Sequence, residues 1–282
     1  MNFKQWLLKE KSHPSKQTHV FDFDDTIAVT TSPNIVMFYQ DGSPAHESED
    51  DVINWIKQNG LNKQELLSGP HNKSIEFIPN KNGYAAYVSS SGLAKIQTNY
   101  PGKESVTGIS DPMPQGPSVL IDFTSSFGVD HETAKPIKQT IDKIKKLNSV
   151  GADTMVLTAR RGEGIGRSIH GHNIEPTNKK DIIGFLNKQG ASPTSGVVGT
   201  TGGDKGQILY NKAVKEKPDN KKPEEIHFYD DLSKNTNNVI QTLGGKVDQD
   251  LYVYGPGEFY TGQANVNMPS KVIRGRKNVK EL

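Results

Sequence analysis

Short apolar runs that each end in polar residues recur along the chain. The four runs are "HVFDF" at 19–23, "DTMVLT" at 153–158, "SGVVGT" at 195–200 and "EIHFYDD" at 225–231. Runs of this length and composition are typical of buried strands, and the polar residues mark the point where each strand leaves the sheet. We therefore predict four buried strands at these positions.

Segments with helical periodicity lie between the predicted strands. In one of them apolar residues recur every three or four positions, at Ile137, Ile141, Ile144 and Leu147. A second segment, "NKKDIIGFLNKQG", ends at Gly190, which suits a helix C-terminus, and further helices are expected at 203–215 and 231–245. Strands that alternate with helices predict an α/β fold with a parallel sheet covered on both faces.

The interval 31–117 breaks this alternation. It contains a strand followed by an Asp-Gly turn in "NIVMFYQDGSP", a capped amphipathic helix in "SEDDVINWIKQNG", and two strands around Asn82 and Gly83 in "SIEFIPNKNGYAAYV". We predict a mixed α+β insertion here. The run "VLIDF" at 119–123 suits a strand of either the core or the insertion.

The predicted organisation therefore has four parts. A core comprises 17–30 and 118–254, with the insertion at 31–117. Residues 1–16 form an amphipathic segment with apolar residues at helical spacing, and 255–282 form an extension with a basic end, "KVIRGRKNVKEL".

Composition excludes some classes of function. The formal net charge is +2 on 34 basic and 32 acidic residues, so net charge does not indicate a nucleic-acid or membrane partner. The chain has no cysteine, which excludes disulfides and thiol chemistry. It shows no apolar run near the roughly 18 residues that span a bilayer and no secretory signal, so we expect no membrane partner and a cytoplasmic location.

Polar side chains follow the predicted strands at four places. They are Asp22 and Asp24, then Thr158, then Lys205, and finally Asp230 with Asp231. Each has an ordinary structural alternative, as a loop cap, a helix N-cap or a solvent-facing charge. Because the carboxyl ends of parallel strands share one edge, however, we expect these residues to converge. Converging carboxylates favour a bound cation or a shared proton, as in a metal-assisted reaction with one nucleophile and one proton donor.

In this order the motifs resemble those of the haloacid dehalogenase (HAD) superfamily. Its phosphatases show Asp-x-Asp-x-Thr, which matches Asp22, Asp24 and Thr26, followed by a strand-end Ser or Thr, a Lys and paired acids. The resemblance covers about 17–30 and 118–254. It implies a Rossmann-like three-layer core and an inserted cap that covers the active site.

The resemblance also implies roles for the residues. Asp22 would attack phosphorus, and Asp24 would transfer the proton; both would bind Mg²⁺, Asp24 through its main-chain carbonyl. Thr158 and Lys205 would hold the phosphoryl group, although Lys212 is an alternative to Lys205. Further residues are expected to bind Mg²⁺ or to lie beside it: Asp230, Asp231 and Asn235. Asp25 stands where many members have glycine and is expected to be a turn residue.

Two arginines follow Thr158. Arg160 and Arg161 can bind a second phosphate or a nucleic-acid backbone, and the resemblance extends to polynucleotide 3′-phosphatase domains, which have a comparable arginine. The alternative is that these arginines pair with Glu163 or with the aspartate cluster.

The predicted function is a Mg²⁺-dependent phosphohydrolase that forms an aspartyl-phosphate. Its substrate would be a phosphorylated small molecule or a nucleic-acid end. The alternative is a non-catalytic HAD-fold protein that binds phosphate or belongs to a virion. The opening "MNFKQWLLKEK" is similar to N-terminal segments of some tailed-phage head proteins, which favours a phage origin and a location in the host cytoplasm or the virion.

Overall fold

The computed structural model describes residues 13–30, 32–40, 43–58, 60–62, 65–69, 72–89, 92–93, 95–96, 118–255 and 266–276. In chain order the strands within these residues are β1 (Gln17–Phe21), β2 (Ala28–Val29), β3 (Asn34–Gln40), β4 (Ser43–Pro44), β5 (Ile75–Ile78), β6 (Gly83–Val88), β7 (Ser118–Asp122), β8 (Lys135–Pro136), β9 (Asp153–Thr158), β10 (Gly166–Arg167), β11 (Asn173–Ile174), β12 (Val197–Gly199), β13 (Glu225–Tyr229), β14 (Asp250–Tyr254) and β15 (Lys271–Ile273). The α-helices are α1 (Glu49–Gln58), α2 (Lys138–Ser149), α3 (Asn178–Lys188), α4 (Lys205–Tyr210) and α5 (Ser233–Leu243). A π-helical turn, Asn211–Lys215, continues α4.

Contacts divide the chain into two compact units. Unit 1 contains the described residues of Met1–Thr30, Ala134–Gly162 and Lys179–Leu282. Unit 2 contains those of Thr31–Thr133 and Glu163–Asn178.

Unit 1 is built on a six-stranded sheet with the order β12-β9-β1-β13-β14-β15. All neighbours from β12 to β14 run parallel, and only β15 is antiparallel to its neighbour. The four strands expected from the apolar runs are confirmed as β1, β9, β12 and β13. The mostly parallel sheet with several helices confirms the prediction of an α/β fold at this level.

One face of this sheet packs against helices. Val20 of β1 and Phe228 of β13 belong to a buried apolar cluster that includes Leu209 of α4 and Leu243 of α5. Side chains alternate between the two faces of a strand, so the neighbours of these residues point to the other face. The apolar residues that recur at helical spacing in α5 and those that alternate with other residues in β1 therefore pack into the same core.

The other face of β1, β13 and β14 carries a stack of rings that we call the sheet-face ladder. Its members are His19, Phe21, His227, Tyr229, Tyr252 and Tyr254. The rings of His19 and His227 stack at 4.1 Å, and those of Tyr229 and Tyr254 also stack at 4.1 Å. His19 Nδ1 lies 3.0 Å from the Tyr229 hydroxyl, and His227 Nδ1 lies 3.0 Å from the Tyr254 hydroxyl. Stacking and hydrogen bonds thus join three neighbouring strands.

Unit 2 is built on an antiparallel sheet. Strand β3 pairs with β4, β6 and β7, and β6 pairs with β5. Val36 and Phe38 of β3 enter one apolar cluster together with Ile56 of α1, whereas Ile35 and Met37 enter a second. The elements predicted in 31–117 that fall on described residues are confirmed as β3, α1, β5 and β6; the Asp-Gly turn at 41–42 lies outside the described residues.

A segment distant in sequence completes unit 2. Ile169, from the stretch between β9 and α3, belongs to the second apolar cluster. Its amide donates to Asp122 Oδ2 at 2.6 Å, and its carbonyl accepts from Asn80 Nδ2 at 3.1 Å. Because Asp122 is fully buried, the bond from the Ile169 amide, together with one from the Thr124 amide at 2.7 Å, satisfies a carboxylate that would otherwise be costly to bury.

The observed division differs from the predicted boundaries in two places. Residues 118–133 and 163–178 were assigned to the core, but their contacts are in unit 2. In the first, β7 pairs with β3 along five residues, which decides between the two alternatives left for "VLIDF".

The predicted terminal segments are described only in part. Residues 1–12 of the amphipathic segment lie outside the described residues, as do 256–265 and 277–282 of the extension. In the remainder of the extension, β15 pairs with β14, and Arg274 binds Asp250 at 2.7 Å. None of the described helices is long and apolar enough to cross a membrane.

Candidate functional site

Three neighbouring parallel strands deliver polar residues to one edge of the sheet in unit 1. Asp22 follows β1, Asp230 follows β13, and Thr158 is the last residue of β9. The backbone ladder continues through two of these positions: the Asp22 amide donates to the Tyr229 carbonyl at 2.8 Å, and the Asp230 amide to the Tyr254 carbonyl at 3.1 Å. The carboxylates therefore project from backbone that the sheet itself holds in place.

Lys205 joins two of these carboxylates. Its Nζ lies 2.7 Å from Asp22 Oδ1 and 2.7 Å from Asp230 Oδ2, and its side chain is 2% exposed. Asp204 caps α4 by accepting from the Gln207 amide, which sets the point where the helix, and with it Lys205, begins. Lys212, the alternative, instead pairs with Glu216 and is 44% exposed.

Asp230 is the most heavily bonded carboxylate of the group. Besides Lys205, it accepts from the Leu232 amide at 2.9 Å and from Asn235 Nδ2 at 3.0 and 3.1 Å. Asn235 thus lies where it was expected, directly against Asp230. These bonds fix the orientation of the carboxylate before any ligand arrives.

Asp24 belongs to a separate ion pair. Arg160 Nη2 lies 2.7 Å from Asp24 Oδ1, and Arg160 Nε lies 2.9 Å from Asp24 Oδ2. Thr30 Oγ1 donates to Asp24 Oδ1 at 2.5 Å. Burial alone would raise the pKa of Asp24, but the charge of Arg160 and the hydrogen bonds from Arg160 and Thr30 lower it below its ordinary value. Of the two roles considered for Arg160, the structure shows pairing with an aspartate of the cluster.

Negative charge is in excess around Lys205. Oxygens of Asp22, Asp230 and Asp231 lie within 4.8 Å of one another, and we call these three residues with Lys205 the strand-end cluster. Burial, followed by the charges of Asp230 and other aspartates, raises the pKa of Asp22 well above its ordinary value despite Lys205. Burial and the charge of Asp230 raise the pKa of Asp231 to about 7. One ammonium group does not balance three carboxylates.

The pKa of Lys205 is also raised, which for a lysine favours the charged form. Its burial by itself would lower the pKa, but the charges of Asp22 and Asp230 raise it above the ordinary value. Lys205 is therefore protonated at neutral pH and is a fixed positive charge between two strands.

The backbone conformation at position 25 explains why Asp25 is a turn residue. Its φ is 56°, in the left-handed region, and its amide donates to the Ala28 carbonyl at 2.8 Å, closing a tight turn. Aspartate adopts this conformation more readily than most residues, although glycine does so at less cost. Burial and the charge of Asp24 raise the pKa of the Asp25 carboxyl to about 6.

The remaining predicted residues are near the site but make other contacts. The hydroxyl of Thr158 accepts from the Arg160 amide at 3.2 Å. The hydroxyl of Thr26 is buried and has no hydrogen-bond partner within the described chain. Arg161 is partly exposed.

Two features of the site are not indicated by any local pattern in the sequence. Thr30 lies in an ordinary polar ending, "AVT", and nothing in its spacing indicates that it binds Asp24. Pairing of Arg160 with the aspartate cluster is one of the two predicted alternatives, but the sequence does not indicate that Asp24, 136 residues away, is the partner.

A divalent cation fits the donor set. Carboxylate oxygens are the ligands that Mg²⁺ prefers, and the excess of two negative charges over Lys205 matches the charge of such an ion. Burial, followed by the charges of neighbouring aspartates, raises the pKa values of Asp22 and Asp231, and a bound cation would offset both effects.

Comparison of the chain with protein-family models, with curated proteins and with solved structures finds no match. Function is therefore inferred from the residues of the site and their geometry.

Proposed function

We propose that the protein is a Mg²⁺-dependent phosphohydrolase with a HAD-like, Rossmann-type core. The observation that carries this proposal is the buried contact of Lys205 with both Asp22 and Asp230, at the ends of adjacent parallel strands. A lysine that joins these two acids, with a second aspartate two residues after the first, is the constellation that the motif resemblance implies.

Asp22 is the nucleophile in this proposal. One of its carboxylate oxygens forms a bond to phosphorus while the bond from phosphorus to the leaving oxygen breaks, which produces an aspartyl-phosphate. Lys205 offsets the charge of Asp22 and of the transferred group, and the rigid backbone around Asp22 keeps the reacting oxygen in place.

Asp24 transfers the proton. Because Arg160 and Thr30 lower the pKa of Asp24 in the free chain, this role requires that the negative charge of a bound phosphoester favour the protonated acid. The protonated Asp24 then donates its proton to the leaving oxygen in the first step, and in the second it accepts a proton from the water that attacks phosphorus and releases Asp22. The products are phosphate and an alcohol, and both aspartates return to their initial state.

Asp22, Asp230 and the main-chain carbonyl of Asp24 would hold Mg²⁺, with Asp231 beside them. When bound, Mg²⁺ neutralises charge on the phosphoryl oxygens. Asn235 orients Asp230 for this task through its two contacts. Unit 2, inserted directly after the first motif, is proposed to select the substrate, either a phosphorylated small molecule or a nucleic-acid 3′-phosphate end.

The test is hydrolysis of an aryl phosphate by the full chain with Mg²⁺. We expect turnover that EDTA abolishes and that Asp22→Asn lowers by at least about 1,000-fold. Asp219→Asn is the matched control, since this carboxylate is 95% exposed and pairs with Lys222 at the surface; it should leave turnover unchanged. A folded protein that binds phosphate but hydrolyses none of a panel of phosphoesters would instead be a non-catalytic or virion-associated protein.

A further inference from the structure

The guanidinium group of Arg160 binds the carboxylate of Asp24. Two parallel hydrogen bonds join it to the carboxylate, through Nη2 to Oδ1 and through Nε to Oδ2. Bidentate pairs of this kind restrict the carboxylate to one orientation, because both oxygens are bound in one plane. The contact therefore determines where the Asp24 oxygens point.

Thr30 contacts both members of the Asp24–Arg160 pair. Its hydroxyl donates to Asp24 Oδ1 at 2.5 Å and accepts from Arg160 Nη2 at 3.1 Å. Each of the three side chains thus contacts the other two, and rotation of any one would break two contacts.

The backbone of Arg160 is also restrained. Its amide donates to the Thr158 hydroxyl at 3.2 Å, and its carbonyl accepts from the Thr201 amide at 3.4 Å. The ring of Phe23 lies 5.8 Å from the guanidinium carbon, so the charged plane also rests against an aromatic side chain. Arg160 is held at both its backbone and its charged end.

Solvent reaches Asp24 far more readily than Arg160. The Asp24 side chain is 33% exposed, whereas that of Arg160 is 4% exposed. Exposure alone does not distinguish the two roles of Arg160, because Asp22 and Lys205 are buried to a similar extent. The engagement of two guanidinium nitrogens with the Asp24 carboxylate is the observation that favours an orienting role.

We propose that Arg160 is a positioning residue that acts on the reaction by orienting Asp24, together with Thr30, and not by binding the substrate phosphate. The proposal rests on the phosphohydrolase function proposed above, in which Asp24 transfers the proton. It replaces the expected substrate contact of Arg160 with a contact to the residue that performs proton transfer.

The first experiment compares two phosphomonoesters, an aryl ester with a good leaving group and an alkyl ester with a poor one. Proton transfer to the leaving oxygen matters most for the alkyl ester, because an alkoxide is a strong base. We expect Arg160→Gln to lower kcat for the alkyl ester about tenfold or more, to lower kcat for the aryl ester less, and to change KM by less than about threefold. A tenfold rise in KM with kcat unchanged would show substrate binding and overturn the proposal.

The second experiment introduces Arg160→Gln into the Asp24→Asn variant. If Arg160 acts only through Asp24, the second substitution should change the residual kcat by less than about twofold. If it lowers kcat by the same factor as in the wild type, Arg160 acts independently of Asp24 and the proposal fails.

Thr30→Val provides a variant that keeps both charges. It should lower kcat for the alkyl ester about two- to fivefold, in the same direction as Arg160→Gln but less. Circular dichroism checks that each variant folds, and Arg276→Gln, at an exposed arginine, should leave kcat unchanged. If Arg160→Gln fails to fold, an unchanged kcat in Thr30→Val would overturn the proposal.

The two proposals fail in different ways. If the wild-type chain hydrolyses no phosphoester, the phosphohydrolase function is wrong and the positioning role falls with it. If hydrolysis is present and Asp22→Asn abolishes it, but Arg160→Gln changes neither kcat nor its dependence on the leaving group, only the positioning role is wrong.

Discussion

Strands β1 and β13 each carry two kinds of buried polar residue. Along one face they present the sheet-face ladder, where His19 and His227 stack and pair with tyrosine hydroxyls. At their carboxyl ends they present the strand-end cluster, where Asp22 and Asp230 face Lys205. Both regions are nearly inaccessible to solvent, but they offset the free-energy cost of burying polar atoms in different ways.

Within the ladder, His19 offsets that cost by staying neutral. Burial, followed by the charges of His227 and Lys143, lowers the pKa of His19 to about 2, so the ring is uncharged at neutral pH. Neutral polar groups that find partners are inexpensive to bury, and they specify which strands lie side by side.

The strand-end cluster contains more acids than cations. Three carboxylates surround one ammonium group, and the pKa of Asp22 is raised rather than lowered. Excess charge of one sign in a buried site is unfavourable unless a ligand neutralises it. The contrast indicates that the ladder serves stability, whereas the cluster is arranged for a cation and an anionic substrate.

The largest effect is expected from Lys205→Met. Removal of the ammonium group leaves Asp22 and Asp230 buried without their cation, which should lower the free energy of unfolding by about 3 to 5 kcal/mol and abolish turnover. Lys212→Met is the matched control: because this lysine pairs with Glu216 at the surface, it should change stability by less than about 0.5 kcal/mol.

Chemical denaturation followed by circular dichroism measures both variants. If they unfold at the same denaturant concentration, Lys205 does not carry the buried charge assigned to it, and the contrast between cluster and ladder is lost.

A smaller effect is expected from the pH dependence of the ladder. The pKa of His19 is lower in the folded state than its ordinary value of 6.5, so its contribution to stability is complete above that value and is lost as the pH falls toward 2. Between pH 8 and pH 5 the loss amounts to about 2 kcal/mol for this one group.

His19→Phe keeps a ring in the stack and removes the titrating group. The free energy of unfolding of wild type and variant is measured at pH 8 and pH 5, so that changes in packing, which are common to both pH values, cancel. We expect the wild type to lose about 2 kcal/mol more than the variant. Equal losses would mean that His19 is not the group that makes the ladder sensitive to acid.

The smallest effect is expected at Asp25, in the left-handed turn beside the cluster. Asp25→Gly removes a carboxyl close to other acids and suits the φ of 56°, whereas Asp25→Ala places a methyl group in the same strained backbone. The glycine variant should be more stable than the alanine variant by about 1 kcal/mol, and turnover should persist in both. Thermal unfolding of the pair checks this difference; equal midpoints would argue against strain at the turn.

Much of the fold could be predicted from local patterns. The alternation in β1 and the spacing of Ile141, Ile144 and Leu147 in α2 depend on which side chains face a core, and that requirement leaves a periodic trace in the sequence. The polar residues at the strand ends could also be predicted to lie together, because parallel strands end at one edge of the sheet. The sequence leaves Lys212 as an alternative to Lys205, and the structure places Lys205 against the two aspartates and Lys212 against Glu216.

Other features depended on contacts that leave no periodic trace. Ile169 joins unit 2 through a single apolar side chain and two hydrogen bonds, although it lies between elements of unit 1 in the chain. Arg160 finds Asp24 across 136 residues, and Thr30 joins them with one hydroxyl. Local periodicity therefore determined the elements and the edge where the acids gather, whereas tertiary packing decided which charge faces which acid, because pairing depends on distances that no local pattern records.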